Sequence, residues 1–335
     1  MKGPGKITLA VYLLGLAGAA LFTVLLIHQG AGQVVTAFAT AGWFVVAVVA
    51  FHFAVPVALD TTAWRVLFPR DYRLPWPKLY WMRWIGESVS TLVPSAAVGG
   101  DIVRARLAAI NGVPLPTAAA TVLVDLTLGV FTQAGFTILG VVLLVEVSGQ
   151  RHFVGPTLLG TAIGVVGIAG FYLVQRLGLF RFVGRIIAKL ASSPEWQSLV
   201  EGGEKLDRAV LDLYARPRRL LLCCLFTIVS LILNSGEIWM ALYALGLPAK
   251  FVNAVILQSM VLTVRSAAFA VPSGIGVQEG GYLVIGNLLG IPGEAAFALS
   301  LIARVRELAF GIPGLIAWQF VEGRRWWRAR AATPR

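Results

Sequence analysis

Charge is scarce in this chain of 335 residues, and so are the residue types on which catalysis and metal binding most often rest. Asp, Glu, Lys and Arg together make up 13% of it, about half the share of an ordinary soluble domain. Its three histidines, His28, His52 and His152, are dispersed. None sits in an H-E-x-x-H or Cys/His spacing that would hold zinc. The two cysteines, Cys223 and Cys224, are neighbours within apolar sequence, which excludes a disulfide framework. No G-x-x-x-x-G-K-[ST] phosphate loop and no G-x-S-x-G nucleophile elbow occurs, so ATP binding and ester hydrolysis of those types are excluded. No metal or cofactor is expected, and enzymatic catalysis is disfavoured.

What fills the chain instead is hydrocarbon. Hydrophobic residues account for 58% of it and the mean hydropathy is +0.80. Apolar runs of about 20 residues, enough to cross a bilayer, recur from end to end. They are continuous rather than alternating, which separates a helical membrane protein from a β-barrel. Lys2 and Lys6 precede a run (Ile7 to Ile27) too long for a cleaved signal core, so it is read as a retained first span. The expected fold class is an all-α polytopic membrane protein.

The net charge of +12 falls in short basic blocks beside the apolar runs. That distribution points to the anionic lipid headgroups of the cytoplasmic leaflet rather than to nucleic acid. Expected spans are Thr8–Ile27, Gly42–Leu59, Pro116–Val145, Phe153–Gln175, Leu220–Leu245 and Glu294–Phe320. The segment from Asp60 to Arg83 has five basic residues against two acids, and Arg176 to Arg219 has nine against five. Both are assigned to the cytoplasm, the second as an amphipathic surface segment of about 176–219. The basic, aromatic tail GRRWWRARAATPR anchors the last helix there, which places both termini in the cytoplasm.

Two stretches interrupt this pattern. VPSAAVGGD (Val93 to Asp101) and VPSGIGVQE (Val271 to Glu279) each begin Val-Pro-Ser, pass through glycine, and reach a carboxylate seven residues after the proline. The topology closes only if their surroundings, about 79–111 and 251–289, enter and leave the membrane on one side. Both are therefore expected to be re-entrant helical hairpins, with turns shaped by Pro94, Gly99 and Gly100, and by Pro272, Gly274 and Gly276. Non-helical backbone at membrane depth is tolerated where it is buried in protein or lines a wet cavity. Each part of the chain, 1–148 and 149–335, then reads span, span, hairpin, span. The odd number of crossings makes them two inverted-topology repeats, an arrangement typical of secondary transporters.

Charges inside apolar segments cost roughly 2.5–3.5 kcal/mol each and mark candidate functional residues. The candidates for a substrate groove are Ser95, Asp101, Arg104, Arg106, Asp125, Arg265, Ser273, Glu279 and Arg304. At the offset between the two stretches, Glu87 corresponds to Arg265 and Asp125 falls within one residue of Arg304. Ion pairs Glu87–Arg265 and Asp125–Arg304 across the repeats are one expectation, and local pairing the other. Asp101 and Glu279 either cap the helices leaving the turns or bind a cation or proton in the groove. Arg104 and Arg106 either anchor topology or grip headgroup oxygens.

LVPSAAVGGDIVRARL with NGVPLPTAAATVLVD, and VPSGIGVQEGGYLVIGNLLGI with ALSLIARVRELAFGIPG, resemble the flippase-like membrane family that includes the transmembrane part of bacterial lysylphosphatidylglycerol synthases (UPF0104-like). The phrases WIGESVSTLVPSAAVGGD, VLVDLTLGVFTQ and GVQEGG are most similar to its hopanoid-associated HpnL subgroup. The resemblance implies a lipid transporter of the bacterial inner membrane, with a membrane lipid as substrate and lipid-synthesis or export proteins as partners. The chain ends at Arg335, where the synthases continue into a soluble aminoacyl-transferring domain, so it is not expected to make lysylphosphatidylglycerol. A permease for a small metabolite and a non-transporting scaffold are the rival expectations.

Overall fold

The computed structural model describes residues 42–93, 99–148, 194–247, 250–268 and 274–331, with Val271 and isolated positions between 155 and 177. Among these residues the protein is all helical. In chain order the helices are α1 (Phe44–Ala54), α2 (Pro56–Leu67), α3 (Trp76–Leu92), α4 (Gly99–Ile110), α5 (Leu115–Ser148), α6 (Pro194–Tyr214), α7 (Pro217–Ala244), α8 (Phe251–Ala267), α9 (Val277–Leu288) and α10 (Gly293–Ala331). The expected span Thr8–Ile27, and most of the expected span Phe153–Gln175, lie outside the described residues.

Local chemistry sets the ends. Proline opens α2, α3 and α7 in the first turn, where its missing N–H has no intrahelical partner to lose. α4, α7 and α9 end alike: a left-handed glycine (Gly112, Gly246, Gly290) is followed by Val113, Leu247 or Ile291. The N–H of that apolar residue returns to the carbonyl of Ala108, Leu242 or Gly286 at 2.9–3.3 Å, which closes a Schellman motif around the glycine.

Three helical stretches are long and apolar enough to cross a membrane: Phe44–Leu67, Leu115–Val147 and Pro217–Ala244. The first corrects the expected span Gly42–Leu59. The helix breaks only slightly at Val55 and continues through Asp60 and Arg65 to Leu67, so the connection to α3 is short. Asp60 is tolerated in it because the carboxylate meets Arg83 on α3. The expected span Glu294–Phe320 lies inside α10, but Arg304, Arg306 and Glu307 keep that helix out of the apolar group. Of the expected amphipathic segment of about 176–219, residues 178–193 lie outside the described residues; α6 follows them, and its Leu206, Val210, Leu213 and Tyr214 pack with Ala63, Val124 and Cys223. Those positions recur at helical spacing along one stripe.

The helix lengths repeat. α3 and α4 have 17 and 12 residues, as do α8 and α9, and each pair is followed by a long helix. At about 26 and 18 Å, the two helices of each pair are much shorter than the long helix that follows. The long helices are exchanged: α5 packs on α8, and α10 packs on α3. Both crossings set a glycine against a serine. A Cβ on Gly140 would collide with Ser259 Oγ, and one on Gly314 with Ser88 Oγ. Small residues let helix axes approach within a membrane. Gln133 donates to Ser266 at 2.7 Å at the first crossing, and Trp84 Nε1 donates to the Phe310 carbonyl at 2.9 Å at the second.

Candidate functional site

The charged residues collect around two adjoining cavities. The larger, about 300 Å³, is bounded by Asp60, Arg83, Glu87, Asp101, Arg104 and Asp125, with Leu126, Gly129, Val130 and Leu231 on its apolar side. The smaller, about 210 Å³, is bounded by His52, Glu87, Asn234, Arg265, Arg306, Glu307 and Phe310. Glu87 lines both and forms part of the partition between them.

The larger cavity is built where α3 and α4 cross closely. A Cβ on Gly100 would overlap the Gly86 carbonyl and Ser90, and one on Gly86 would overlap the stem of Arg104. Gly99 and Gly100, expected in the turn, are instead helical and belong to α4. Gly100 is needed there as a contact surface. The crossing aims Arg104 at the cavity. Its two terminal nitrogens donate to Asp125 at 2.8 Å and Asp101 at 2.7 Å, and its guanidinium carbon lies 5.0 Å from the centre of the Trp64 ring. Arg83 completes the cluster, donating to Asp125 at 2.8 Å and lying 3.5 Å from Asp60. Arg106, two positions beyond Arg104, is exposed on the other side of α4.

A chemically parallel cluster forms between α8, α9 and α10. Glu279, fully buried, accepts the Gly276 N–H at 2.6 Å. Gly276 stands at φ +81°, a conformation glycine adopts without strain. The carboxylate therefore caps α9. It also accepts from Arg304 Nε at 2.8 Å. Arg304 donates to Glu307 at 2.9 Å, and Arg265 donates to Glu307 at 2.5 Å and to Gln278 at 3.0 Å. In both clusters one arginine ties the early carboxylate of the second short helix (Asp101, Glu279) to a carboxylate on the long helix (Asp125, Glu307). A second arginine, on the first short helix (Arg83, Arg265), holds that same long-helix acid.

These partners overturn the expected ion pairs. Glu87 faces His52 rather than Arg265, and Asp125 is held by Arg83 and Arg104 rather than Arg304. Asp125 meets arginines already delivered by the neighbouring short helices, and Glu87 meets the histidine of α1, so neither reaches the expected partner. Gly274, with Gly276, belongs to the turn before α9. Pro94, Ser95, Pro272 and Ser273 lie outside the described residues.

Sequence reasoning passed over His52, Asp60 and Arg83. His52 Nδ1 lies 2.7 Å from Glu237 Oε1 and 3.0 Å from Arg306 Nη1, and its Nε2 lies 3.6 Å from Glu87 Oε1. Arg306 Nε is 3.3 Å from Glu237 Oε2. The available signal was a lone histidine within an apolar span, where an ionisable residue is a functional candidate by default. Arg83 reads, from sequence alone, as one of the five basic residues of the segment from Asp60 to Arg83.

Residues 11–314 match the family described as the lysylphosphatidylglycerol synthase TM region. The chain belongs to this family. It is a membrane protein of a family associated with lipid handling. No curated protein and no solved structure matches it.

Proposed function

We propose that this protein is an inner-membrane lipid transporter that moves a polar-headed lipid between leaflets, with a hopanoid as the leading candidate through its similarity to the HpnL subgroup. The observation that carries the reading is the mixed lining of the larger cavity. Carboxylates and guanidiniums stand opposite Leu126, Gly129, Val130 and Leu231, and Leu126 is 41% exposed. An amphiphile fits such a wall, with its headgroup among the charges and its apolar body left in the bilayer. Four carboxylates against two guanidiniums line this cavity, so a hydroxyl- or amine-bearing headgroup suits it better than a bare phosphate. In this reading the headgroup passes from Asp101 and Arg104, at the larger cavity, toward Glu279 and Arg304.

The same reading takes α3–α4 and α8–α9 as re-entrant hairpins of two inverted-topology repeats. Their matched lengths, exchanged long helices and parallel charge clusters support it, because a two-fold axis relating the repeats would generate all three together. Both termini are placed in the cytoplasm, no catalytic step is assigned to the chain, and lipid-synthesis or export proteins are its partners. A cavity of about 300 Å³ is also large enough for a small solute, which keeps a metabolite permease as the second reading.

The test is reconstitution into liposomes with a headgroup-labelled hopanoid or phospholipid. Faster leaflet exchange than in protein-free vesicles is expected, with a marked loss in Arg104→Ala. Exchange equal to that of empty vesicles, together with uptake of a soluble metabolite, would replace the lipid reading with the permease.

A further inference from the structure

Asp125 and Glu279 are already matched by guanidinium donors at 2.8 Å. A proton on either would remove one of the two carboxylate counter-charges that each of its arginine partners holds. The cluster around His52 is different. At 2.7 Å from a carboxylate oxygen, Nδ1 fits as the donor to Glu237, because a bare lone pair there would face another lone pair. Arg306 then interacts with the cluster by charge. The remaining ring nitrogen, Nε2, points at Glu87 Oε1 across 3.6 Å, beyond hydrogen-bond length but within reach of a small side-chain rotation. The other Glu87 oxygen, Oε2, is buried and has no hydrogen-bond partner among the described residues.

Charge counting gives the same result. With a neutral imidazole, Glu87, Glu237 and Arg306 sum to one negative charge; with an imidazolium the group is neutral. One exchangeable proton is the difference. His52 borders only the smaller of the two described cavities, whereas Glu87 borders both.

We propose that His52 and Glu87 form a proton-transfer pair connecting the two cavities and, resting on the transport reading above, that headgroup movement is coupled to it. A proton taken up from the smaller cavity at His52 Nε2 gives the imidazolium. Its transfer to Glu87 Oε1 returns the neutral ring and leaves a neutral carboxyl. Release of that proton to the larger cavity regenerates the carboxylate. No bond to carbon changes, and the net event is movement of one proton. The fields acting on the pair come from every side. Around His52 they are Glu237 on α7 with Arg306 and Glu307 on α10. Around Glu87 they are Arg83 on its own helix, Asp60 on α2, Asp101 and Arg104 on α4, Asp125 on α5, and, across the smaller cavity, Arg265 on α8 with Arg306 and Glu307 on α10.

The test has two arms. In lipid nanodiscs, with His28 and His152 replaced by Gln so that His52 is the only histidine, ¹⁵N NMR follows the ring over about pH 5 to 8, where an unperturbed histidine changes charge. A change between neutral and protonated ring is expected, with proton affinity shifted about tenfold in Glu87→Gln. A ring fixed in one state throughout, or an identical titration in Glu87→Gln, would overturn the pair. The wild-type ring decides this arm even if the variant fails to insert. In liposomes, an imposed proton gradient is expected to speed leaflet exchange severalfold in one direction, and Glu87→Gln to abolish that bias. Exchange indifferent to the gradient overturns the coupling and leaves the transport reading intact. A normal titration with no exchange in any vesicle overturns the coupling through failure of the transport reading, while the proton pair stands.

Discussion

Arg104 donates to Asp125 at 2.8 Å across a separation of 21 residues, joining α4 to α5 where both side chains are buried. Asp125 also holds Arg83, so one carboxylate keeps two guanidiniums in place. Removing one member of a buried pair costs about 3–5 kcal/mol, because the partner charge stays behind. Asp125→Ala is expected to approach that loss, measured as unfolding free energy in detergent micelles. Asp101→Ala removes a single, more exposed contact and is expected to cost about 1 kcal/mol or less. Arg104→Lys keeps the charge but loses both the two-acid fork and the Trp64 contact, so it should fall nearer to Arg104→Ala than to wild type.

The two glycine-to-serine crossings give a second prediction. Gly140→Val and Gly314→Val place methyl groups where Ser259 and Ser88 already stand. Overpacking of this kind costs about 1–3 kcal/mol, and thermal unfolding should show both variants destabilised. Ser259→Gly should recover part of the loss in Gly140→Val but none in Gly314→Val. Recovery of both alike would mean that the serine acts through general loosening and not through this contact.

Glu279 separates a helix cap from an ion pair. Glu279→Gln retains an acceptor for the Gly276 N–H but loses the charge facing Arg304, while Glu279→Ala loses both. Since a lost cap costs about 0.5–2 kcal/mol, Ala should be the less stable of the two by about that amount in chemical unfolding. Equal stabilities would show that the hydrogen bond to Gly276 contributes nothing.

How much of this was legible in the chain divides along a physical line. Features held by neighbours in sequence could be read: the apolar runs that became α5 and α7, the amphipathic stripe of α6, and the carboxylate following each Pro-Ser-Gly stretch. Features depending on which helices meet could not. The common offset identified Glu87 with Arg265 and Asp125 with Arg304, but equivalence under a two-fold axis is not proximity, which holds only close to the axis. Arg83 looked like a loop cation because Asp60 and Asp125, which give it a reason to be inside, come from two other helices. His52 was one histidine in an apolar run until α3, α7 and α10 surrounded it with Glu87, Glu237 and Arg306.

The exchange of long helices is open to chemical crosslinking. Gln133 Nε2 and Ser266 Oγ are 2.7 Å apart across 133 residues of sequence. With Cys223 and Cys224 replaced by Ala, the double variant Gln133→Cys, Ser266→Cys should form a disulfide, or be bridged by a short thiol crosslinker, in native membranes. Cleavage engineered between α5 and α7 would then leave the two fragments joined on a non-reducing gel. Fragments that separate would mean that α5 does not lie on α8 in the membrane.

The re-entrant reading makes the most direct statement about sidedness. If α3–α4 returns to the face it left, the turn before it and the start of α5 after it share one side of the membrane. If α8–α9 does the same, its two flanks share the other side. Tyr72, Leu115, Lys250 and Glu294 are all exposed at these junctions, so single cysteines there, in a background lacking Cys223 and Cys224, report the topology. Tyr72→Cys and Leu115→Cys should react with an impermeant maleimide only from the cytoplasmic side, and Lys250→Cys and Glu294→Cys only from the opposite side. Full crossing by either helix pair would split its two flanks between the faces. The label would then react at Tyr72 and Leu115, or at Lys250 and Glu294, from opposite sides, and the inverted-repeat architecture would be lost with the hairpin.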